Sequence, residues 1–318
     1  MTGFLVRRVA QSTLVVLGVT VITFVLTKLL PGGVARAILG VRASPQAIAE
    51  FNHENGLDLP AWQQYLYYLG QLLHGNLGFS YHLNQSVVEL LQDHLPKTLI
   101  LLTISTLLAL AIAVPLGMLQ AVRRNKLEDY FFTSLSFALY SMPPFWLALI
   151  LIIIFAVNLN LLPPQGPQGA VSTYLDDPSQ ILGLVLPVMS LALVTIALFS
   201  RYMRSSMLDN LVQDYVRTAR AKGVSTTGVL YRHVLRNALI PIVTLLGLSL
   251  PGIFSGALIT EAIFNYPGMG LLFWNSSQTR DYPVLLGVTL VVAVATVVGN
   301  LLADVFYAVV DPRVRVTE

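Results

Sequence analysis

The chain has 318 residues, of which 55% are hydrophobic and only 11% charged, with a mean hydropathy of +0.70. Soluble domains carry about 25% charged residues, so this composition excludes an ordinary soluble fold and places the chain in a membrane. It has no cysteine, which excludes disulfides and thiolate metal sites, and its formal charge of +3 says less than where the charges fall.

In chain order, the first segment, MTGFLVRRVAQSTLVVLGVTVITFVLTKLLPGG, sets basic residues before an apolar run. The run Val9–Leu30 exceeds the roughly 7–15 residues of a signal-peptide core, and no small-residue cleavage pattern follows, so it reads as an uncleaved membrane helix. A helix rises about 1.5 Å per residue and the hydrocarbon core is about 30 Å thick, so a span needs about 20 apolar residues. Six segments qualify: Val9–Leu30, Thr98–Ala121, Phe131–Val157, Ile181–Ser200, Leu239–Thr260 and Val284–Val309. The expected fold is an all-α integral membrane protein with six transmembrane helices.

Basic residues orient it. Arg7, Arg8, Arg123, Arg124, Lys126, Arg201, Arg204, Arg217, Arg220, Lys222, Arg232, Arg236, Arg313 and Arg315 all fall on one side, fourteen of the nineteen Lys and Arg. That side is cytoplasmic by the positive-inside rule, so both termini are expected inside. The expected organisation is a cytoplasmic N-terminus and first helix (1–30), an extracytoplasmic loop with amphipathic helices (31–97), a five-helix core (98–309) carrying the cytoplasmic loop 201–238, and a cytoplasmic tail (310–318).

Within the first outer loop, Trp62, Tyr65, Leu66, Leu69, Leu72 and Leu73 follow helical spacing, broken by Gln63, Gln64, Gln71 and His74. Two readings fit: a helix lying in the membrane interface, or one packed on the outer ends of the spans. The second outer loop, Asn158–Gln180, is rich in proline and reads as irregular. Pro143 and Pro144 in YSMPPFW are expected to kink the third span, and Pro115 and Pro187 the second and fourth. Gly252 and Gly256 in PGIFSG have the spacing that permits close helix approach.

Pumps and ion-coupled transporters place ionisable residues inside the bilayer. Spans two to five hold none; Asp304 lies inside the sixth, and Glu261 at the outer end of the fifth. Asp304 reads as an interfacial acid paired with Arg201 or Arg204, with a role in transport as the alternative. Lys28, Lys97, Lys126 and Lys222 are the only lysines, and none follows a glycine as a P-loop requires. No histidine pair has zinc-ligand spacing, and no span carries a nucleophile–base pair. Catalytic residues and bound metal are therefore expected to be absent, and energy for uphill transport must come from another chain.

The stretch DYVRTARAKGVSTTG, Asp214–Gly228, stands apart. Helical spacing aligns Val212, Tyr215, Val216, Ala219 and Gly223 on one face, with Gln213, Arg217 and Arg220 on another. Asp214 and Arg217 form a supporting i, i+3 pair. Gly223 reads as a helix C-cap and Ser225 as the N-cap of a second helix to about Asn237. The narrow small-residue face with one aromatic invites a docking partner; a basic loop held near anionic lipid is the other reading.

These residues, in the run DYVRTARAKGVSTTGVLYRHVLRNALIPIVT, resemble the cytoplasmic loop of permease subunits of bacterial binding-protein-dependent ABC importers. The general signature there is E-A-A, three residues, Gly, nine residues, I-x-L-P. Ala219 and Gly223 match it. Arg217 and Thr218 stand for Glu and Ala, His233 for Ile and Arg236 for Pro, a version similar to the peptide and nickel branch. SMPPFWLALILI, ITEAIFNYPGMG, RDYP, DPRVR and GLDLPAWQQYLYYLGQLLHGNLGFS resemble that branch too, so the likeness covers nearly the whole chain.

The resemblance implies a type I ABC importer permease in the bacterial inner membrane, one half of a pathway for peptides. It implies as partners a second homologous permease, two ABC ATPase subunits that carry ATP and Mg, an extracytoplasmic peptide-binding protein, the peptide and membrane lipid, with no nucleic acid. It assigns Tyr215, Ala219, Arg220, Ala221, Lys222 and Gly223 to ATPase coupling. Glu261, Tyr266 and Gly268 are expected at an outer gate or binding-protein contact. Nickel and oligosaccharide importers share the motifs. A self-sufficient secondary transporter would need an intramembrane ionisable network, and a non-transporting scaffold would not need mid-span prolines.

Overall fold

The computed structural model describes residues 2–29, 33–40, 43–174, 176–255 and 257–310. Among the described residues, the regular structure is helical apart from a hairpin of two short strands. Helix α1 (Thr2–Lys28) is followed by the short helices α2 (Gly33–Leu39), α3 (Pro45–Glu54) and α4 (Ala61–Leu73). Strands β1 (Phe79–Ser80) and β2 (Gln85–Ser86) then pair antiparallel, Phe79 opposite Ser86 and Ser80 opposite Gln85. The hairpin feeds α5 (Val87–Val122), whose start is fixed by a capping box between Ser86 and Glu89.

Next come α6 (Leu127–Ser141) and α7 (Pro144–Leu151), which continues as a π-helical turn to Asn158. Helix α8 (Pro178–Leu211) starts with Asp177 as N-cap and proline in its first turn. The loop helix α9 (Asp214–Ala221) is followed by α10 (Thr226–Gly228), a π turn over Val229–Val234 and α11 (Leu235–Ala238). Helices α12 (Ile240–Ser255), α13 (Leu258–Ile263), α14 (Met269–Thr279) and α15 (Tyr282–Val310) complete the chain. Among the described residues, five helices are long and apolar enough to cross a membrane, and the α6–α7 pair makes a sixth if counted as one span.

Helix α5 packs along α8, α12 along α15, α1 against α15 and α6 against α8. The α5–α8 seam has a plain sequence cause. Leu101, Ser105, Ala109, Ala113, Gly117 and Ala121 recur every four residues and are all buried. Small side chains at that spacing let two helices approach closely. A Cβ at Gly117 would lie 2.6 Å from Met203 Cβ and from the Ser200 carbonyl oxygen, so this is a point of closest approach.

Two expectations change. The third span is broken, not merely kinked: its two halves meet at 108°. A proline disfavours α-conformation in the residue before it. With Pro143 followed by Pro144, both Met142 (ψ 133) and Pro143 (ψ 134) become extended. Pro115 and Pro187, by contrast, sit inside continuous helices. Finally, α5 begins at Val87, well before Thr98, and α8 runs to Leu211, well past Ser200, because both helices continue beyond their apolar stretches. The Gly252/Gly256 spacing reaches residue 256, outside the described residues.

Candidate functional site

The loop after α8 folds back on the bundle. Helix α9 ends in a full Schellman motif: Gly223 N–H donates to the Arg220 carbonyl at 3.0 Å, and Val224 N–H to the Ala219 carbonyl at 3.2 Å. Gly223 has φ +78, which a side chain adopts only with strain. Ser225 then accepts from Gly228 N–H and starts the next helical segment. The loop is thus a short helix, a glycine turn and a second helix that enters α12.

Its two faces differ from expectation. Val216 and Ala219 are buried in a cluster with Ala121, Met203, Met207, Val229 and Val234. Tyr215 packs on the same cluster, and its hydroxyl donates to Asn210 Oδ1 at 2.8 Å. Ala219 is buried and Tyr215 half-buried against this cluster, and both fasten α9 to the bundle. The small-residue face meets the turn Val229–Val234 of the same loop, in a cluster that also holds Ala121 of α5 and Met203 and Met207 of α8. The exposed side carries Arg217, Thr218, Arg220, Ala221, Lys222 and Gly223. The Asp214–Arg217 pair forms at 3.5 Å but is fully in solvent, where such pairs contribute little.

At the same end of the bundle, Arg204 of α8 grips Asp129 of α6 through Nε and Nη2. Asp129 also accepts from Asn125 N–H and Thr133 Oγ1. Arg204 was expected opposite Asp304, but its carboxylate partner is Asp129; the Asp304 side chain lies outside the described residues. Arg201 stacks its guanidinium over the Phe137 ring, 4.6 Å from the centroid. Sequence reading missed Asp129, although an acid in the first turn of a helix is favoured by the helix dipole and invites a nearby arginine.

At the opposite end, Glu261 is completely buried. Its carboxylate accepts from Thr98 Oγ1 (2.8 Å), Gly270 N–H (2.7 Å), Leu271 N–H (3.0 Å) and Ala257 N–H (3.3 Å). Two of these are first-turn N–H groups of α14, which no helical carbonyl reaches. Burial pushes the carboxyl above its usual range, while these donors pull it down. Tyr266 donates to the Lys97 carbonyl at 2.7 Å. A Cβ on Gly268 would fall 2.5 Å from Glu261 Cδ and from Thr98 Oγ1. Glu261, Tyr266 and Gly268, expected at an outer gate or binding-protein contact, are brought together here: all three are buried and brace α13 and α14 against α5.

The structure is that of a polytopic helical membrane protein with a short helix, a glycine turn and a second helix at one end of the bundle. Comparison with known proteins gives the family. The chain matches the binding-protein-dependent transport system inner membrane component over residues 113–316, and the N-terminal component of the same systems over 1–102. It belongs to that family, and is a multi-pass inner-membrane permease. It is 42% identical to the oligopeptide transport system permease protein AppB of Bacillus subtilis (strain 168), covering 99% of this chain and 100% of that protein. It is 36% identical to the dipeptide transport system permease protein DppB of Escherichia coli (strain K12), covering 99% of each. The probable D,D-dipeptide transport system permease protein DdpB of Escherichia coli (strain K12) is 38% identical over 95% of this chain and 94% of that protein.

Proposed function

We propose that this chain forms half of the translocation pathway of a peptide importer, with the exposed side of α9 and the Gly223 turn as the surface on which an ABC ATPase subunit acts. The observation that carries this reading is the two-sided loop. Val216 and Ala219 bury α9 in the cluster that holds the turn Val229–Val234 with Ala121 of α5 and Met203 and Met207 of α8, while Arg217, Arg220, Ala221 and Lys222 face outward on the other side. A rigid element attached to span ends transmits a push as rigid-body motion.

In this reading the basic loops and both termini face the cytoplasm, and a second, homologous permease completes the pathway. Two ATPase subunits bind ATP and Mg, this chain performs no catalysis, and a binding protein delivers substrate on the other side. The names of the relatives, oligopeptide and dipeptide permeases, favour peptides over nickel or oligosaccharides. The test is ATP hydrolysis by the reconstituted complex with its binding protein, with and without short peptides. Peptide-dependent stimulation supports the reading, and stimulation by nickel or oligosaccharide alone overturns the substrate.

A further inference from the structure

Helix α4 is built inside out. It has no charged residue. Its one buried side chain is the amide of Gln64, 8% exposed, whereas Trp62 is 62%, Leu66 58% and Leu73 87% exposed. These three residues, at i, i+4 and i+11, share one face of the helix, and Gln64 and Tyr68 lie opposite. A helix in water does the reverse, turning its apolar stripe to the core.

Two polar side chains tie this helix to its surroundings. Gln64 Nε2 donates to the Leu57 and Leu59 carbonyls, and its Oε1 accepts from Lys28 Nζ. Thr20 spends its hydroxyl hydrogen on the Leu17 carbonyl, so Tyr65 donates to Thr20 Oγ1, at 2.9 Å. The Tyr65 and Tyr68 rings pack on Phe24.

These contacts also set depth. Lys28 stands at the end of α1, where its long stem carries the ammonium to the interface. Thr20 is eight residues further in, about 12 Å along the helix, and the Tyr65 hydroxyl reaches it. Half of the hydrocarbon core is about 15 Å thick. Helix α4 is therefore held alongside the upper part of a membrane span, not above it. Its neighbour α1 leaves Leu14, Leu17, Val21 and Val25 exposed to the same medium.

We infer that the Trp62–Leu66–Leu73 face of α4 is immersed in lipid acyl chains, making α4 a half-embedded helix in the leaflet opposite the basic loops. This inference is independent of the peptide and ATPase readings. An uncharged helix satisfies the constraint that polar groups in lipid be paired within the protein, and the Gln64 and Tyr65 bonds do that. Lipid, not a protein partner, is the occupant because the Trp62–Leu66–Leu73 stripe carries no hydrogen-bonding group except the Trp62 indole, and its exposed flank adds only Tyr67; both residue types suit the membrane–water boundary.

This chain has no cysteine, so once partner-chain cysteines are substituted each introduced label site is unique. Nitroxide labels are placed at Leu66→Cys and Leu73→Cys in the complete transporter in lipid nanodiscs, with Leu14→Cys and His53→Cys as references. Collisions with oxygen should exceed those with a water-soluble nickel chelate several-fold at 66 and 73, as at 14, with the reverse at 53. Nickel-dominated collisions at 66 and 73 overturn the inference in favour of water. Labels immobilised and shielded from both probes overturn it in favour of a covering protein. A second measurement uses the native Trp62: in a Trp146→Phe, Trp274→Phe background, the emission lost on exchange into brominated lipid should exceed that of the same complex also carrying Trp62→Phe. Equal losses contradict the placement.

Discussion

Arg204 closes a two-point ion pair on Asp129, with Nε–Oδ1 and Nη2–Oδ2 both 2.7 Å. The planar guanidinium matches the carboxylate in a way a lysine ammonium cannot. Asp129 lies near the start of α6 and Arg204 near the end of α8, so the pair joins the broken span to the helix that leads into α9. Breaking a buried pair leaves one charge uncompensated. Asp129→Ala should cost about 3 kcal/mol, the low end for such a loss because Arg204 keeps some exposure. Arg204→Lys should cost less than Asp129→Ala. Thermal unfolding of the purified protein checks the order; equal stability of all three chains contradicts it.

The Glu261 brace gives a second expectation. Gly268→Ala drives a methyl group into the Glu261 carboxylate and the Thr98 hydroxyl, and folded protein in the membrane should fall sharply. Glu261→Gln keeps the shape but turns an amide NH2 toward backbone donors, leaving buried groups unpaired at about 1–3 kcal/mol. Folded yield by size-exclusion chromatography should rank wild type, Glu261→Gln, then Gly268→Ala. A Gly268→Ala chain that behaves as wild type would falsify the brace.

Gly117 tests the α5–α8 seam. A methyl there meets Met203 Cβ and the Ser200 backbone. Gly117→Ala should destabilise by about 1–3 kcal/mol through overpacking. Gly18, where an added methyl would meet nothing within 4 Å, is the control: Gly18→Ala should be neutral or slightly stabilising. Both are read as apparent melting temperatures in one detergent.

Coupling separates two kinds of α9 substitution. Tyr215→Phe removes one hydrogen bond, costing about 1 kcal/mol, and should leave ATPase assembly intact. Gly223→Asp strains a left-handed turn by about 1–2 kcal/mol and adds a carboxylate beside Arg220 and Lys222. It should still insert in the membrane yet lose transport and assemble poorly. Wild-type rates of transport-stimulated ATP hydrolysis in that variant would count against the coupling role.

Much of this was legible in the residues. Composition and apolar run length placed the membrane helices, since the bilayer thickness sets a length that sequence displays. Gly223 as a C-cap was legible because only glycine takes φ +78 at low cost. The direction of the Tyr215–Ala219 face was not. A small-residue stripe fits a close neighbour equally well whether that neighbour is another subunit or a buried cluster of the same chain. Asp129 and Arg204 are 75 positions apart, and their meeting depends on how α6 crosses α8. Local patterns near each residue carry no trace of that crossing. The burial of Glu261 was hidden for a similar reason: its donors are mostly backbone groups, which sequence does not display. The every-fourth-residue stripe from Ser105 to Ala121 was visible but masked by the longer apolar run around it.

The central claim is that force enters through the exposed side of α9, and site-specific cross-linking tests it most directly. In the cysteine-free chain, with each cysteine introduced alone and the complete complex assembled, Lys222→Cys should capture a nucleotide-hydrolysing subunit, whereas Ala219→Cys, turned toward Met203 and Met207, should not. Capture at 219 but not at 222, or at neither, contradicts the account.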